Sequence, residues 1–377
     1  MKFLVIPLLL FCNLGFSQSF EQLRASAASN LNRKDYCAAL TDFKAAFAIK
    51  VAPGPYDYIG GVSAAANCNA KPLALQWLQK SFEAGLGKSE EEITYLETNE
   101  SFRSIADTEA FKSILKRMKE RLAEKEADKK AAVDAWNKAI TAHQLPPQQP
   151  YQHAPQGYAL YFTQVDDQQV PFVVYVPNSY DPVKPSTTIV FLHGGVNSVQ
   201  DYYYKNPDVA TEPIFSIGEA FNAIIIYPFA KKDFGWMNQK KAFENIFTIL
   251  KETEGIYNVD TSRIYLGGMS NGGTATFWFA SQKDTPFKAF YAFGANPVLK
   301  IEEIDFANIS NSHPLYTIHS KDDEVFKYDE VISIYNANKK KAVGWKFETI
   351  EKGSHGFIYD PENGPAILYR FFKELLK

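Results

Sequence analysis

Arg263-Ile264-Tyr265-Leu266-Gly267-Gly268-Met269-Ser270-Asn271-Gly272-Gly273 decides how the second half of this chain is read. Four residues of strand-forming character run into Gly268-x-Ser270-x-Gly272, and an apolar helical pattern begins near Gly273. A serine between glycines at a strand-to-helix turn has its hydroxyl exposed at the C-terminal edge of a sheet. The next backbone N–H, that of Asn271, is then free to face a developing oxyanion. The expected chemistry is nucleophilic attack by Ser270.

Upstream, the apolar strand Thr188-Ile189-Val190-Phe191-Leu192 leads directly into His193-Gly194-Gly195. Backbone N–H groups in such a glycine turn can point inward, so Gly194 and Gly195 are candidate donors beside Asn271 for an oxyanion hole. A serine also needs a general base, and the base needs a partner that fixes its tautomer. His355, in Gly353-Ser354-His355-Gly356, follows a predicted strand and precedes the last helix. The acid candidates are the adjacent Asp322 and Asp323, and spacing alone leaves the choice between them open. Of the other histidines, His143 and His153 lie in connector-like sequence, His313 precedes a strand, and His319 ends one and is expected to pack there.

The same pattern extends from Tyr158 to the C-terminus. Strands are predicted at 158–163, 172–176, 188–192, 223–227, 263–266, 289–292, 315–318 and 346–350, with helices at 241–254, 273–281, 328–340 and 366–376. Strands alternating with helices indicate an α/β domain with a doubly wound, mainly parallel sheet. Together with Tyr175-Val176-Pro177 and Val259-Asp260-Thr261-Ser262-Arg263, these motifs resemble the α/β-hydrolase superfamily, and within it the feruloyl-esterase and polyhydroxybutyrate-depolymerase-like branch. The resemblance implies a carboxylic-ester hydrolase working through a Ser-His-Asp acyl-enzyme, with no cofactor. Relatives carry the acid in His-Gly-x-x-Asp. Counting four residues on from His319 gives Asp323, with Ser320 where the pattern has glycine.

The first half reads differently. From about Phe20 to His143 apolar residues recur at helical spacing and β-branched residues are sparse. Tyr36-Cys37-Ala38-Ala39-Leu40 with Phe43, Ala46 and Phe47 is echoed about 35 residues later by Leu73-Ala74-Leu75, Leu78 and Phe82. These segments resemble tetratricopeptide repeats, which implies a helical stack able to hold a protein partner. A Lys/Glu/Ala-rich stretch, 116–140, reads as a solvated connector helix with pairs such as Glu126 and Lys130. Prolines 146, 147 and 150 end it. The expected division is therefore a helical domain over 18–143, a Pro/Gln-rich linker over 144–157 and the α/β-hydrolase domain over 158–377.

At the start, Lys2, the apolar run Phe3 to Phe11 and the small residues before Gln18 read as an export signal over residues 1–17, so the expected location is periplasmic or extracellular. That run is shorter than the roughly 20 residues a membrane span needs. Cys12 follows the bulky Phe11, which argues against a lipid-anchoring site. Removing the signal leaves Cys37 and Cys68 of the three cysteines. Two readings stand for them, a disulfide in an oxidising compartment and two buried free thiols. No Cys/His spacing suits a metal. A formal net charge of −3 offers no basic excess for nucleic acid. A small-molecule or polysaccharide ester fits better as substrate. Peptide and lipid-ester substrates use the same machinery, and an inactive binding protein is the alternative from another class. Tyr202, Tyr203, Tyr204 and Trp236 fall in loops after strands, where they would either wall a binding groove or simply pack.

Overall fold

The computed structural model describes residues 19–49, 52–142 and 156–377. The export segment with Cys12, the connector histidines His143 and His153, and most of the linker 144–157 lie outside the described residues. The chain divides into two units between Lys130 and Ala131.

In the first unit, helices α1 (Phe20–Asn32), α2 (Tyr36–Ala48), α3 (Pro55–Asn67) and α4 (Lys71–Glu83) are followed by α5 (Glu90–Thr98) and the single turn α6 (Arg103–Ala106). The pair α1–α2 is repeated by α3–α4 at an offset of 35 residues at each helix start, 20 to 55 and 36 to 71. The connecting turns repeat too. Lys34 and Asn69, again 35 apart, both take positive φ, 62° and 56°. Behind each, an N–H reaches back five residues, Asp35 to Asn30 and Ala70 to Ala65, both at 2.9 Å. This closure satisfies carbonyls that a helix end would otherwise leave bare. Small residues Ala39, Ala64, Ala65 and Ala74 are fully buried beside Phe43, Val62 and Leu78, so the helices approach closely along one core. Cys37, in the first turn of α2, is joined by a disulfide to Cys68 at the end of α3. Of the two readings the sequence left open, the structure takes the disulfide. A loop with a separation of 31 residues is stabilised by about 3.5 kcal/mol on the chain-entropy argument.

Helix α7 (Glu109–Thr141) is continuous, and the division between units falls within it. Residues 123–132 are all exposed, consistent with their Lys/Glu/Ala composition. Along it Lys116 pairs with Glu120 at 3.6 Å, whereas the expected pair of Glu126 and Lys130 does not form. Trp136 and Ile140, assigned by the sequence to the helical half, instead belong to the core of the second unit. Their large apolar side chains, the first after the charged stretch, are buried against its sheet residues.

The second unit carries eight strands: β1 (Gly157–Val165), β2 (Gln168–Val176), β3 (Ser186–Leu192), β4 (Ile224–Pro228), β5 (Val259–Met269), β6 (Ala289–Phe293), β7 (Leu315–Ser320) and β8 (Trp345–Ile350). They form one sheet in the order β1-β2-β4-β3-β5-β6-β7-β8. The hairpin β1–β2 is antiparallel and joins β4 antiparallel, and every pairing from β4 through β8 is parallel. All eight predicted strands are present. The central ones are continuous apolar runs because both faces are covered. On β3 and β4, Val190, Leu192, Ile224 and Ile226 face one core, while Ile189, Phe191, Ile225 and Tyr227 face the other. The first core is filled by α9 (Lys240–Ile256) and α10 (Asn271–Ala280), with α11 (Tyr328–Asn338) packed on it. The second is filled by α8 (Pro213–Phe221) and α12 (Gly364–Leu375). A mainly parallel sheet wrapped on both faces is the architecture the sequence pattern called for.

Candidate active site

Parallel strands deliver their following loops to one edge, and the candidate residues leave from the C-terminal ends of β3, β5, β7 and β8. Ser270 stands between the last residue of β5 and the first of α10. Its backbone takes φ 54° and ψ −116°, a conformation an L-residue holds only when its surroundings dictate it. Two hydrogen bonds hold it there: its N–H donates to Phe293 O on β6 at 2.9 Å, and its carbonyl accepts from Thr274 N at 2.8 Å. The flanking glycines serve close packing and not a left-handed backbone. Neither Gly268 nor Gly272 has positive φ, and the left-handed conformation falls on the serine itself. A Cβ at either glycine would instead collide with the carbonyl oxygen of Leu192 at the end of β3. The glycines let the turn lie directly against the neighbouring strand.

The serine, the histidine and one aspartate are in line. Ser270 Oγ is 2.9 Å from His355 Nε2, and His355 Nδ1 is 2.8 Å from Asp323 Oδ2. A carboxylate only accepts, so Nδ1 carries the hydrogen and Nε2 is left to accept from the serine hydroxyl. Asp323 is buried. Its other oxygen, Oδ1, accepts the N–H groups of Val325 and Phe326, each at 2.8 Å. Asp322 does not reach the imidazole. It is exposed and accepts instead from the backbone of the loop that carries His355, which resolves by geometry which of the two aspartates contacts the ring. Its carboxyl lies below the ordinary carboxylate range, first because the Ser320 hydroxyl donates to it and next because Ser354 N–H does.

His319 packs at the end of β7, as its sequence position suggested, and also touches the acid. Its Nε2–H donates to Phe326 O at 2.8 Å and lies 3.4 Å from Asp323 Oδ2. Burial holds its pKa below the usual histidine value, so the ring stays neutral beside the carboxylate. The remaining acid-loop contact is from Glu324, whose Oε2 accepts His355 N–H at 3.3 Å. Sequence reading had no signal for Glu324, because a carboxylate on an exposed loop is ordinarily solvated.

On the other side of the serine, a Cβ on Gly194 would come within 3.0 Å of Ser270 Cβ, so this backbone adjoins the hydroxyl. Gly195 adopts φ 69°, the left-handed turn that glycine permits. Asn271 is the first residue of α10, where backbone N–H groups have no acceptor within the helix. His193 fixes this turn from below: its Nε2 accepts from Ala230 N–H at 3.0 Å, so its Nδ1–H donates to Gly194 O at 2.6 Å. Full burial lowers its pKa to about 4 and keeps it neutral.

The aromatic candidates are held by neighbours. Tyr203 bonds Tyr227 through their hydroxyls at 3.0 Å and packs edge-on to His193, and Tyr204 packs on Phe162. Tyr202 accepts from Gln168, with Lys231 over its ring. Trp236 is fully buried against His193, so it supports the glycine turn from within rather than walling an open groove. Asn296, in the loop after β6, escaped the sequence reading. Its N–H is 3.3 Å from Thr274 Oγ1 in the first turns of α10, and its buried Oδ1 has no partner. Among the described residues no group of three His, Cys, Asp or Glu side chains could hold a metal ion, and no helix is long and apolar enough to cross a membrane.

The sheet order and the loops at its C-terminal edge define an α/β-hydrolase fold preceded by a helical region. Comparison with known proteins narrows this: residues 229–369 match the dienelactone hydrolase family, a stretch that holds Ser270, Asp323 and His355. A curated relative, the bifunctional acetylxylan esterase/xylanase of Neocallimastix patriciarum, is 25% identical over 169 residues, 42% of this chain and 22% of that protein. The chain thus spans about a fifth of that relative's length. Among solved structures, a fluorophosphonate-binding serine hydrolase of Staphylococcus aureus is 15% identical, covering 59% of this chain and 99% of that one, with a TM-score of 0.46. A ferulic acid esterase is 18% identical, with coverages of 59% and 99% and a TM-score of 0.45.

Proposed function

We propose that the second unit hydrolyses carboxylic esters through a covalent acyl-enzyme on Ser270. The carrying observation is the continuous path from Ser270 Oγ to His355 Nε2 and from His355 Nδ1 to buried Asp323, with the serine on a strained strand-to-helix turn. In this reading His355 removes the hydroxyl proton as Ser270 attacks the acyl carbon. Asp323 holds the imidazole in the tautomer that leaves Nε2 free and stabilises the imidazolium that forms. Backbone N–H groups of Asn271 and of Gly194 or Gly195 receive the oxyanion. The imidazolium then protonates the departing alcohol, and water, activated by the same histidine, releases the acid. No step calls for a cofactor.

Substrate and setting belong to the same proposal. Acyl groups on polysaccharide are favoured because the curated relative is named as an acetylxylan esterase/xylanase and because the first 17 residues read as an export signal. The helical unit is proposed to be a short tetratricopeptide-like stack that holds a protein partner, supported by the 35-residue repeat of helices, turns and closing hydrogen bonds.

The test is release of p-nitrophenol from p-nitrophenyl acetate, and of ferulate from methyl ferulate, by the chain from residue 18 onward beside its Ser270→Ala variant. Serine-dependent release from either ester is expected. A folded protein that cleaves neither would overturn the esterase reading in favour of peptide substrates or of a binding role.

A further inference from the structure

We infer that Asp322 is a positioning residue that clamps the loop bearing His355, so that the acid loop holds its partner by the backbone as well as by the ring. The inference rests on the esterase reading only for its kinetic consequence. Its structural content stands apart.

The loop 353–355 has an unusual backbone. Gly353 takes φ 151° and Ser354 takes φ 54°, two consecutive residues on the left-handed side of the map, the second of them with a side chain. A loop of this form is not held by its own conformational preference. External bonds are needed, and they come from one place. Asp322 Oδ1 accepts Gly353 N–H at 3.1 Å and Ser354 N–H at 2.9 Å, and Glu324 Oε2 accepts His355 N–H at 3.3 Å. Between them Asp323 takes the imidazole. Three successive residues, Asp322, Asp323 and Glu324, thus meet three successive N–H groups and the ring that follows them. Such a row of N–H groups is a ready acceptor of negative charge. Ser320, the residue that departs from the glycine of related sequences, donates its hydroxyl to Asp322 Oδ1 and orients the clamp from the end of β7.

The consequence is positional. The imidazole must serve Ser270 and Asp323 at once, at 2.9 and 2.8 Å, and besides these bonds it is placed by the loop backbone and by an edge-on contact with the Phe326 ring. Without Asp322 two N–H groups lose their acceptor and the kinked backbone relaxes, which shifts the ring. A misplacement of about 1 Å lowers turnover roughly 100-fold with binding little changed.

The experiment pairs kinetics on p-nitrophenyl acetate with proton NMR of the free protein, following the downfield His355 Nδ1–H resonance and amide exchange at Gly353 and Ser354. Asp322→Ala is expected to lower kcat roughly 10- to 100-fold with KM near wild type, to broaden the downfield resonance and to speed exchange at both amides. Asp322→Asn keeps an acceptor oxygen and should restore most of all three. If Asp322→Ala does not fold, Ser320→Ala, which removes only the orienting hydroxyl, should show the same changes in weaker form. Unchanged kcat, resonance and exchange in these variants would overturn the clamp while leaving the esterase standing. A wild type with no ester hydrolysis, but with the NMR changes present in the variants, would remove the esterase reading and leave the clamp.

Discussion

The two units of this chain hold themselves together in opposite ways. In the helical unit the irregular positions are regular: Lys34 and Asn69 turn alike, and each turn is closed by the same backbone bond. Its polar groups cap helices, as Ser19, Asp35 and Ser89 do, and one disulfide staples neighbouring helices. In the α/β unit left-handed Asn222 closes α8 before β4, and a second set of irregular positions gathers at the edge where the parallel strands end. There Ser270 and Ser354 hold left-handed backbone, Asp323 is buried, and His193 and His319 are buried neutral. Strain and buried ionisable groups destabilise a fold unless the surroundings fix them. Where they concentrate is where the chain has been shaped for something other than stability.

Variants can break this contrast, beginning with the largest expected effect. Ser270→Ala should lower kcat/KM by about 10^4-fold or more while the urea midpoint stays near wild type. A large loss of stability would mean that the serine hydroxyl also holds the fold. Replacing Asp323 by Asn is expected to reduce kcat by roughly 10^3- to 10^4-fold, through the wrong imidazole tautomer, with ester binding retained. Steady-state kinetics read both.

The disulfide should do the reverse. Cys37→Ser with Cys68→Ser is expected to destabilise the helical unit by about 3.5 kcal/mol and leave ester hydrolysis unaltered. Denaturation followed separately by helical circular dichroism and by activity distinguishes the two units. Activity that falls with the helical signal would show them to be energetically coupled.

The smallest effect is one of pH. His193 has a folded pKa lowered to about 4 by burial, against an ordinary value near 6.5. Above pH 6.5 both folded and unfolded chains carry it neutral and stability is full. Between pH 6.5 and 4 the unfolded chain takes a proton that the folded chain refuses, so stability falls as pH falls, by roughly 3 kcal/mol across the window. His319, also lowered by burial, acts in the same direction. Urea unfolding of wild type and His193→Asn at several pH values checks this. The variant should show a shallower decline, and an equal slope in both proteins would assign the pH dependence elsewhere.

Much of this arrangement was legible in the residues, for identifiable reasons. Runs such as Thr188 to Leu192 and Ala223 to Tyr227 declare strands because a sheet covered on both faces needs no polar alternation. The Gly268 to Gly272 turn, His355 and the adjacent Asp322 and Asp323 could be read as candidates because each follows a strand end, while the choice between the two aspartates stayed open on spacing alone. Helix α8 was missed: nine residues, opened by Pro213 and closed by left-handed Asn222, are too few to establish a helical period. The contacts of Asp322 and Glu324 with the His355 loop were invisible because they join residues about 31 positions apart through backbone N–H groups that no side-chain pattern records. Likewise the need for Gly268 and Gly272 was legible but its reason was not, since the carbonyl they clear belongs to another strand.

One consequence of the strand order remains. Ser270 hangs from β5 in the middle of the sheet, whereas His355 follows β8, which has a neighbour on one side only. Edge elements open before the rest of a domain unfolds. Fraying of β8 would carry the proposed base away from an intact serine turn, so rising denaturant should silence the enzyme at concentrations where the core spectrum is still native, and dilution should bring activity back at once, without a refolding lag.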